Sequence, residues 1–349
     1  MAFSEQSYPS SSSVISWPLL SEESDASLLS DDDPSLPVKR RKMARRSVSH
    51  SYHITNTKPF WYSDGDIVLE IEQQCFKIHQ SRLKCSVIFS DMLEVPQPAD
   101  AESVDGCPLV QLADAVDDWI MTMKWLYDRR IFQSLPHPIP FQLLQGALRI
   151  STKYDIADLR KTTIKQLRAR WPSELERMDT NSLPHAAEAI SLARECDVLE
   201  ILPAAFYALS IQRWGCNADG GQSHQVLTPG DLRRLVIGRE RLSSICAGIL
   251  FDPLLTEDLP IDAPSPFDAC AKCRDVLQRY WREKVCSSPS SPFECWLLRE
   301  LHKLMVEGDA RFERTLCARC LAWHKSAVIM RLFHLKTSIP RIFHLSFDN

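Results

Sequence analysis

Between Asp64 and Leu93 the alternation of apolar and polar residues changes period, and each change marks an element. Asp64-Gly65 is a turn pair. After it, Ile67, Leu69 and Ile71 alternate with Val68, Glu70 and Glu72, which predicts a strand with aliphatics on one face and two carboxylates on the other. Gln73-Gln74 is a break of hairpin length, and Phe76 and Ile78 restart the alternation as a returning strand. At Gln80-Ser81 the spacing becomes helical. Leu83 and then Phe89, Met92 and Leu93 follow it, with Ser81 and Ser86 placed to cap two short helices. A β-hairpin that feeds a helical pair is a small α+β nucleus.

The pattern downstream extends that nucleus. Val110-Gln111-Leu112 predicts a third strand after a Pro- and Asp-containing connection. Asp117 is placed to cap a helix bearing Trp119, Ile120, Met123, Leu126 and Tyr127. Pro136, Pro138 and Pro140 make a stiff loop, Phe141 starts a helix to Tyr154, and Ile156 to Leu167 is a further helix ending at Trp171-Pro172. A small sheet packed by a helical cluster fits this order better than a doubly wound parallel sheet.

Residues 173–349 read as a second, mostly α-helical region. Ser173 and Glu176 are spaced as a capping box, and Pro184 to Leu199 and Pro203 to Trp214 are helical stretches. Thr228-Pro229 opens another helix, with Asp231 as the reciprocal acid and Leu232, Leu235, Val236 and Leu242 as its apolar face. Three more helical stretches fall near residues 268–285, 292–307 and 310–333. Trp281, Trp296, Trp323, Phe312 and Phe333 are expected in the core of this region, and residues 340–347 as an apolar tail docked on the body.

Composition narrows the functional classes. Residues 1–59 are Ser-rich and poor in large apolar side chains, which predicts a disordered tail. Within it Lys39, Arg40, Arg41, Lys42, Arg45 and Arg46 form a basic cluster that an import receptor or a polyanion reads, or that is simply a solvated charge run. Nuclear or cytoplasmic residence is expected, since no apolar leader is present and no run suits a membrane span. A net charge of −4 implies no global basic field, and no direct nucleic-acid binding is expected. Only ten glycines are present, and neither a P-loop nor a dinucleotide fingerprint occurs. Twelve cysteines with no export signal are read as thiols or metal ligands before disulfides.

Four of those cysteines carry the chemistry. Cys270 and Cys273 form one CxxC, and Cys317 and Cys320 another. Residues three apart share a helix face, so two neighbouring helices can present four thiolates, or three with His324 as a substitute ligand, the ligand set of structural zinc. The 43 residues between the pairs exceed the usual zinc-ribbon spacing, and small buried cysteines filling helix contacts are the alternative. Neither pair has the thioredoxin-like surroundings of a redox CxxC.

Residues from about Trp61 to Arg170 resemble a BTB/POZ domain in the form common among fungal proteins. The resemblance is carried by residues 66–71 (DIVLEI) and 76–93, where Phe76, His79, Leu83, Ser86, Phe89 and Met92 meet the family pattern. Residues 110–114 (VQLAD), 117–119 (DDW), 125–127 (WLY) and 147–160 follow in the family's order. It implies an interaction module at residues 60–172 that self-associates as a homodimer or recruits a partner such as a cullin or a corepressor. Corepressor-binding members carry a basic residue directly after the histidine, facing the aspartate that opens the first strand. Here Asp66 is kept but Gln80 occupies that position, which disfavours the corepressor class. Met92-Leu93-Glu94 has the hydrophobic-x-Glu form of cullin adaptors.

The expectation is a non-enzymatic protein–protein interaction protein, with a cullin-type ligase adaptor as the alternative and a nuclear transcriptional regulator less favoured. No HExxH, GxSxG or deaminase pattern points to catalysis, and His79 is expected to be structural.

Overall fold

The hairpin lies where the alternation places it. The computed structural model describes residues 56–96, 102–212, 226–251, 270–286 and 297–345. Strands β1 (Asn56–Trp61), β2 (Ile67–Ile71) and β3 (Gln74–Ile78) come first, so strand structure begins four residues before position 60. β2 and β3 pair antiparallel, from Ile67 opposite Ile78 to Ile71 opposite Gln74. The turn is Glu72-Gln73 rather than Gln73-Gln74, which puts Gln74 in β3. Both turn residues have positive φ, 48° and 66°, the twist-matched pair that a two-residue hairpin requires.

Helices α1 (Gln80–Leu83) and α2 (Val87–Glu94) follow. Ser86 caps α2 by accepting the Phe89 N–H at 3.1 Å, and its hydroxyl donates to the Tyr154 carbonyl. Ser81 does not cap α1, because the helix already starts at Gln80, with His79 in the cap position. Strands β4 (Ser103–Val104) and β5 (Cys107–Leu112) complete a five-stranded mixed sheet of order β1-β3-β2-β5-β4, with β5 parallel to β2. One face gives Ile67, Leu69, Ile71, Phe76 and Ile78 to the main core. The opposite face is not simply acidic. Val68 and Cys75 are buried there with Val104 and Cys107, a small second cluster.

Helices α3 (Val116–Tyr127), α4 (Ile131–Ser134), α5 (Phe141–Lys153) and α6 (Ala157–Arg170) cover the inner face. Ala115, not Asp117, is the α3 cap residue; Asp117 sits in the first turn, and the Glu72 carboxylate accepts the Val116 N–H at 3.0 Å. Phe89, Trp119 and Tyr154 form one aromatic group, with ring centroids 4.8 to 6.0 Å apart. The Asp114 carboxylate beneath it takes hydrogen bonds from Trp119, Lys153 and Tyr154. Its carboxyl lies below the ordinary value, since those donors outweigh the burial that opposes them.

The C-terminal region contains α7 (Ala186–Glu195), α8 (Leu202–Ser210), α9 (Pro229–Phe251), α10 (Ala271–Cys286), α11 (Leu297–Val306), α12 (Ala310–Glu313) and α13 (Ala318–Ile342). Thr228 and Asp231 cap α9 as expected, with the Asp231 N–H donating to the Thr228 hydroxyl at 3.1 Å. The Ser173/Glu176 box does not form. Residues 175–177 make a 3-10 turn, and the Glu176 carboxylate bonds Lys336 of α13 at 2.6 Å. Val236 and Phe333, expected in the core, are exposed at 51% and 64%. The predicted helix over 310–333 is two helices, broken ahead of Cys317. Of the expected apolar tail, residues 340–342 are the last turn of α13, and Phe343 and Leu345 after it are buried against the body as expected. Phe343 is fully buried against Phe206 and over Gly238, where a Cβ would meet its ring at 2.1 Å.

Residues 52–349 form one compact unit, and packing continues across position 172. Trp171 meets Phe141 with ring centroids 5.7 Å apart and donates to the Ser182 carbonyl at 2.9 Å, while Arg149 pairs with Glu195 at 2.9 Å. Residues 1–55 of the expected tail, with its basic cluster, lie outside the described residues, as does Trp296, while residues 56–59 belong to β1 instead. No helix among the described residues is long and apolar enough to cross a membrane.

Helices α3 and α5 touch backbone to backbone. A Cβ on Gly146 would lie 2.5 Å from the Asp118 Cα and 2.8 Å from its carbonyl oxygen. Neither atom can rotate away, so Gly146→Ala should cost about 1–3 kcal/mol despite the better helix propensity of alanine. Chemical denaturation measures it, and an unchanged midpoint would contradict the close approach.

Candidate metal centre

Each CxxC begins a helix. Cys270 immediately precedes α10 and its carbonyl accepts the Arg274 N–H at 3.1 Å; Cys317 is the cap residue of α13 and accepts the Leu321 N–H at 2.9 Å. Cys273 and Cys320 therefore lie in the first turns. The two segments read Cys270-Ala271-Lys272-Cys273 and Cys317-Ala318-Arg319-Cys320, the same arrangement twice. That repetition was the signal in the sequence that these pairs act together.

Packing brings the two helix starts face to face. The four sulfurs all lie within 4.8 Å of one another, and the Cys317 N–H points at the Cys273 sulfur at 3.4 Å. Four thiolates around a zinc ion at ~2.3 Å sit about 3.8 Å apart, so a small contraction closes the cluster into a tetrahedron. The four cysteines can thus hold a metal ion. No disulfide joins any of them.

Electrostatics favour anionic sulfur here. Two helix N-termini converge on the cluster, each with positive potential and free amide donors. The Cys320 backbone amide and then its thiol draw Cys317 down to about 7, without a closed capping hydrogen bond. Burial pushes the Cys320 thiol the other way. A divalent ion with four thiolates carries a formal charge of about −2, and Lys272, Arg274 and Arg319 lie beside the ligands in the chain to oppose it.

His324 does not join the centre. It is not among the residues whose ligand atoms converge, and with all four cysteines meeting no substitute ligand is needed. The imidazole is instead buried in an aromatic layer, 5.2 Å from Phe312 and 6.1 Å from Trp281 between ring centroids. Tyr280 stacks on Phe312 at 3.8 Å and donates to Asp309 at 3.1 Å, completing a floor between α10 and α13.

The residues singled out in the hairpin are placed as scaffold. His79 Nδ1 lies 2.8 Å from the Tyr127 hydroxyl and Nε2 lies 3.4 Å from the Asp64 carboxylate, at the edge of the Tyr62–Tyr127 stack. Gln80 donates its backbone N–H to the Asp66 carboxylate at 2.6 Å and its side-chain amide to the Asp66 carbonyl at 2.9 Å. Among known proteins, no family model, no curated protein and no solved structure matches the chain.

Burial, with Arg331 adding to it, holds the His324 imidazole down at about 4. The unfolded chain takes up this proton near the ordinary 6.5 and the folded chain does not, so stability falls as pH drops below 6.5 and keeps falling to about 4. The expected slope from this residue is about 1.4 kcal/mol per pH unit within that window. Denaturation of wild type and His324→Phe from pH 7 to 4 isolates it, and parallel curves would contradict it.

Proposed function

We propose that the chain is a non-enzymatic protein–protein interaction protein built on a BTB/POZ-like domain that self-associates, with a structural zinc ion fastening its C-terminal helices. One observation carries the interaction reading. Helix α2 buries only Phe89, and together with its C-cap Val95 it turns Val87, Ile88 and Val95 outward at 53%, 48% and 61% exposure. Three exposed aliphatics on one short element are costly in water and gain free energy when a partner covers them. The order of elements supports the family part of the reading. An antiparallel hairpin, a helix pair, a strand laid parallel to β2 and a helical cluster succeed one another in residues 66–170.

Adaptor function toward a cullin is the second reading, favoured by Met92-Leu93-Glu94 at the end of α2, where both apolar residues are half-buried and Glu94 is exposed. The corepressor class is disfavoured, since Gln80 engages Asp66 with neutral groups where that class presents a cation. The zinc reading rests on donor chemistry. Four clustered sulfurs suit zinc in a closed tetrahedral site, which leaves no position for a substrate and so supports a structural role.

Light scattering on the full chain is expected to give a dimer, and Val87→Asp with Ile88→Asp a monomer. A wild-type monomer would count against self-association. Titration with a cullin N-terminal domain separates the second reading, and no binding at tens of micromolar discards it. Metal analysis should find one zinc per chain, with a chelator lowering the thermal midpoint. Protein without stoichiometric zinc and indifferent to chelator would end the zinc reading.

A further inference from the structure

The four sulfurs share one centre but not one exposure. Cys273 and Cys320 are buried at 3% and 1%, Cys270 is half-buried, and Cys317 alone is exposed. Its neighbours Ala318 and Arg319 are exposed too, so of the four ligands Cys317 offers solvent the widest approach. Cys320, three residues on, lies within 4.8 Å, and a CxxC at a helix start is the spacing of proteins that make and break disulfides. From this asymmetry, and resting on the zinc reading above, we infer that Cys317 is an oxidation site, the point at which a peroxide enters the centre and opens it.

The chemistry balances with hydrogen peroxide as oxidant. The Cys317 thiolate attacks one peroxide oxygen, the O–O bond breaks and hydroxide leaves, which gives the sulfenic acid. The Cys320 thiolate then attacks that sulfur, the S–O bond breaks and a second hydroxide leaves, which gives the Cys317–Cys320 disulfide. The two thiolates lose two electrons and the peroxide gains them. Zinc is held by thiolates rather than by disulfide sulfur, so the ion is left with two of its four ligands and departs. The tie between α10 and α13 is then released while the aromatic floor of Tyr280, Trp281, Phe312 and His324 remains.

The test uses the full chain with its zinc content measured first. Peroxide is added, zinc release is followed with a chromogenic chelator, and timed alkylation with peptide mass spectrometry reports each thiol. Cys317 is expected to lose alkylation first, roughly tenfold faster than Cys270. Zinc release should track a disulfide containing Cys317 and Cys320, and reductant with added zinc should reverse both. Cys317→Asp keeps an anionic ligand, and its zinc should leave at less than about one tenth of the wild-type rate. Absence of zinc before peroxide is added overturns the zinc reading and this inference together. One zinc per chain that peroxide leaves in place, or a mapped disulfide without Cys317, overturns the inference alone.

Discussion

Helix α8 is apolar on every side, and the C-terminal region is arranged to enclose it. From Leu202 to Ser210 all but Pro203 are buried. A helix with no polar face has no stable position at a surface, so neighbours must surround it. Helices α7, α9 and α13 do so, with Phe343 at the end of the chain closing the last side against Phe206. The Tyr207 hydroxyl, the polar point on the enclosed face, accepts the Leu298 N–H at 3.3 Å and so draws in α11. The position of α13 follows from this enclosure, and the position of its first turn, with Cys317 and Cys320, follows from α13.

The cysteine cluster and the largest buried side chains of α13 lie at opposite ends of the helix. Burial of α8 fixes the C-terminal half of α13, where Lys336 also reaches Glu176. The N-terminal half buries smaller apolar side chains, Ala327 and Val328 beside Cys320 and His324, and turns Ile329 outward at 48%. That is where the aromatic floor and the four sulfurs lie. Zinc bound as proposed would add a few directional bonds to the modest apolar burial of that end.

Much of this was legible in the residues, and the misses share causes. The hairpin, Ser86, the α5 and α6 boundaries and the Thr228 cap came from local patterns whose physics is local. Ser81, Asp117 and the Ser173/Glu176 box failed because a cap-forming residue is common, while the choice among candidates is made by tertiary partners such as Glu72 and Lys336. Val236 and Phe333 failed because helical spacing identifies a stripe without saying how much of it a neighbour covers. The four cysteines were identifiable by type and spacing. Their convergence was one of two readings left open, and spacing could not choose between them because the choice depends on where α10 and α13 start relative to each other. His324 was offered as a substitute ligand because spacing alone could not say that all four cysteines would meet.

Because each ligand pair is complete within four residues, the chain between Cys273 and Cys317 carries no ligand geometry of its own. Both of its ends are cysteines of the cluster, and Trp281 near one end and Phe312 near the other meet in the aromatic floor around His324. Lengthening such a closed loop costs only about 0.6 kcal/mol for each doubling. Length added between the two pairs therefore leaves each CxxC whole and adds little to the cost of bringing them together.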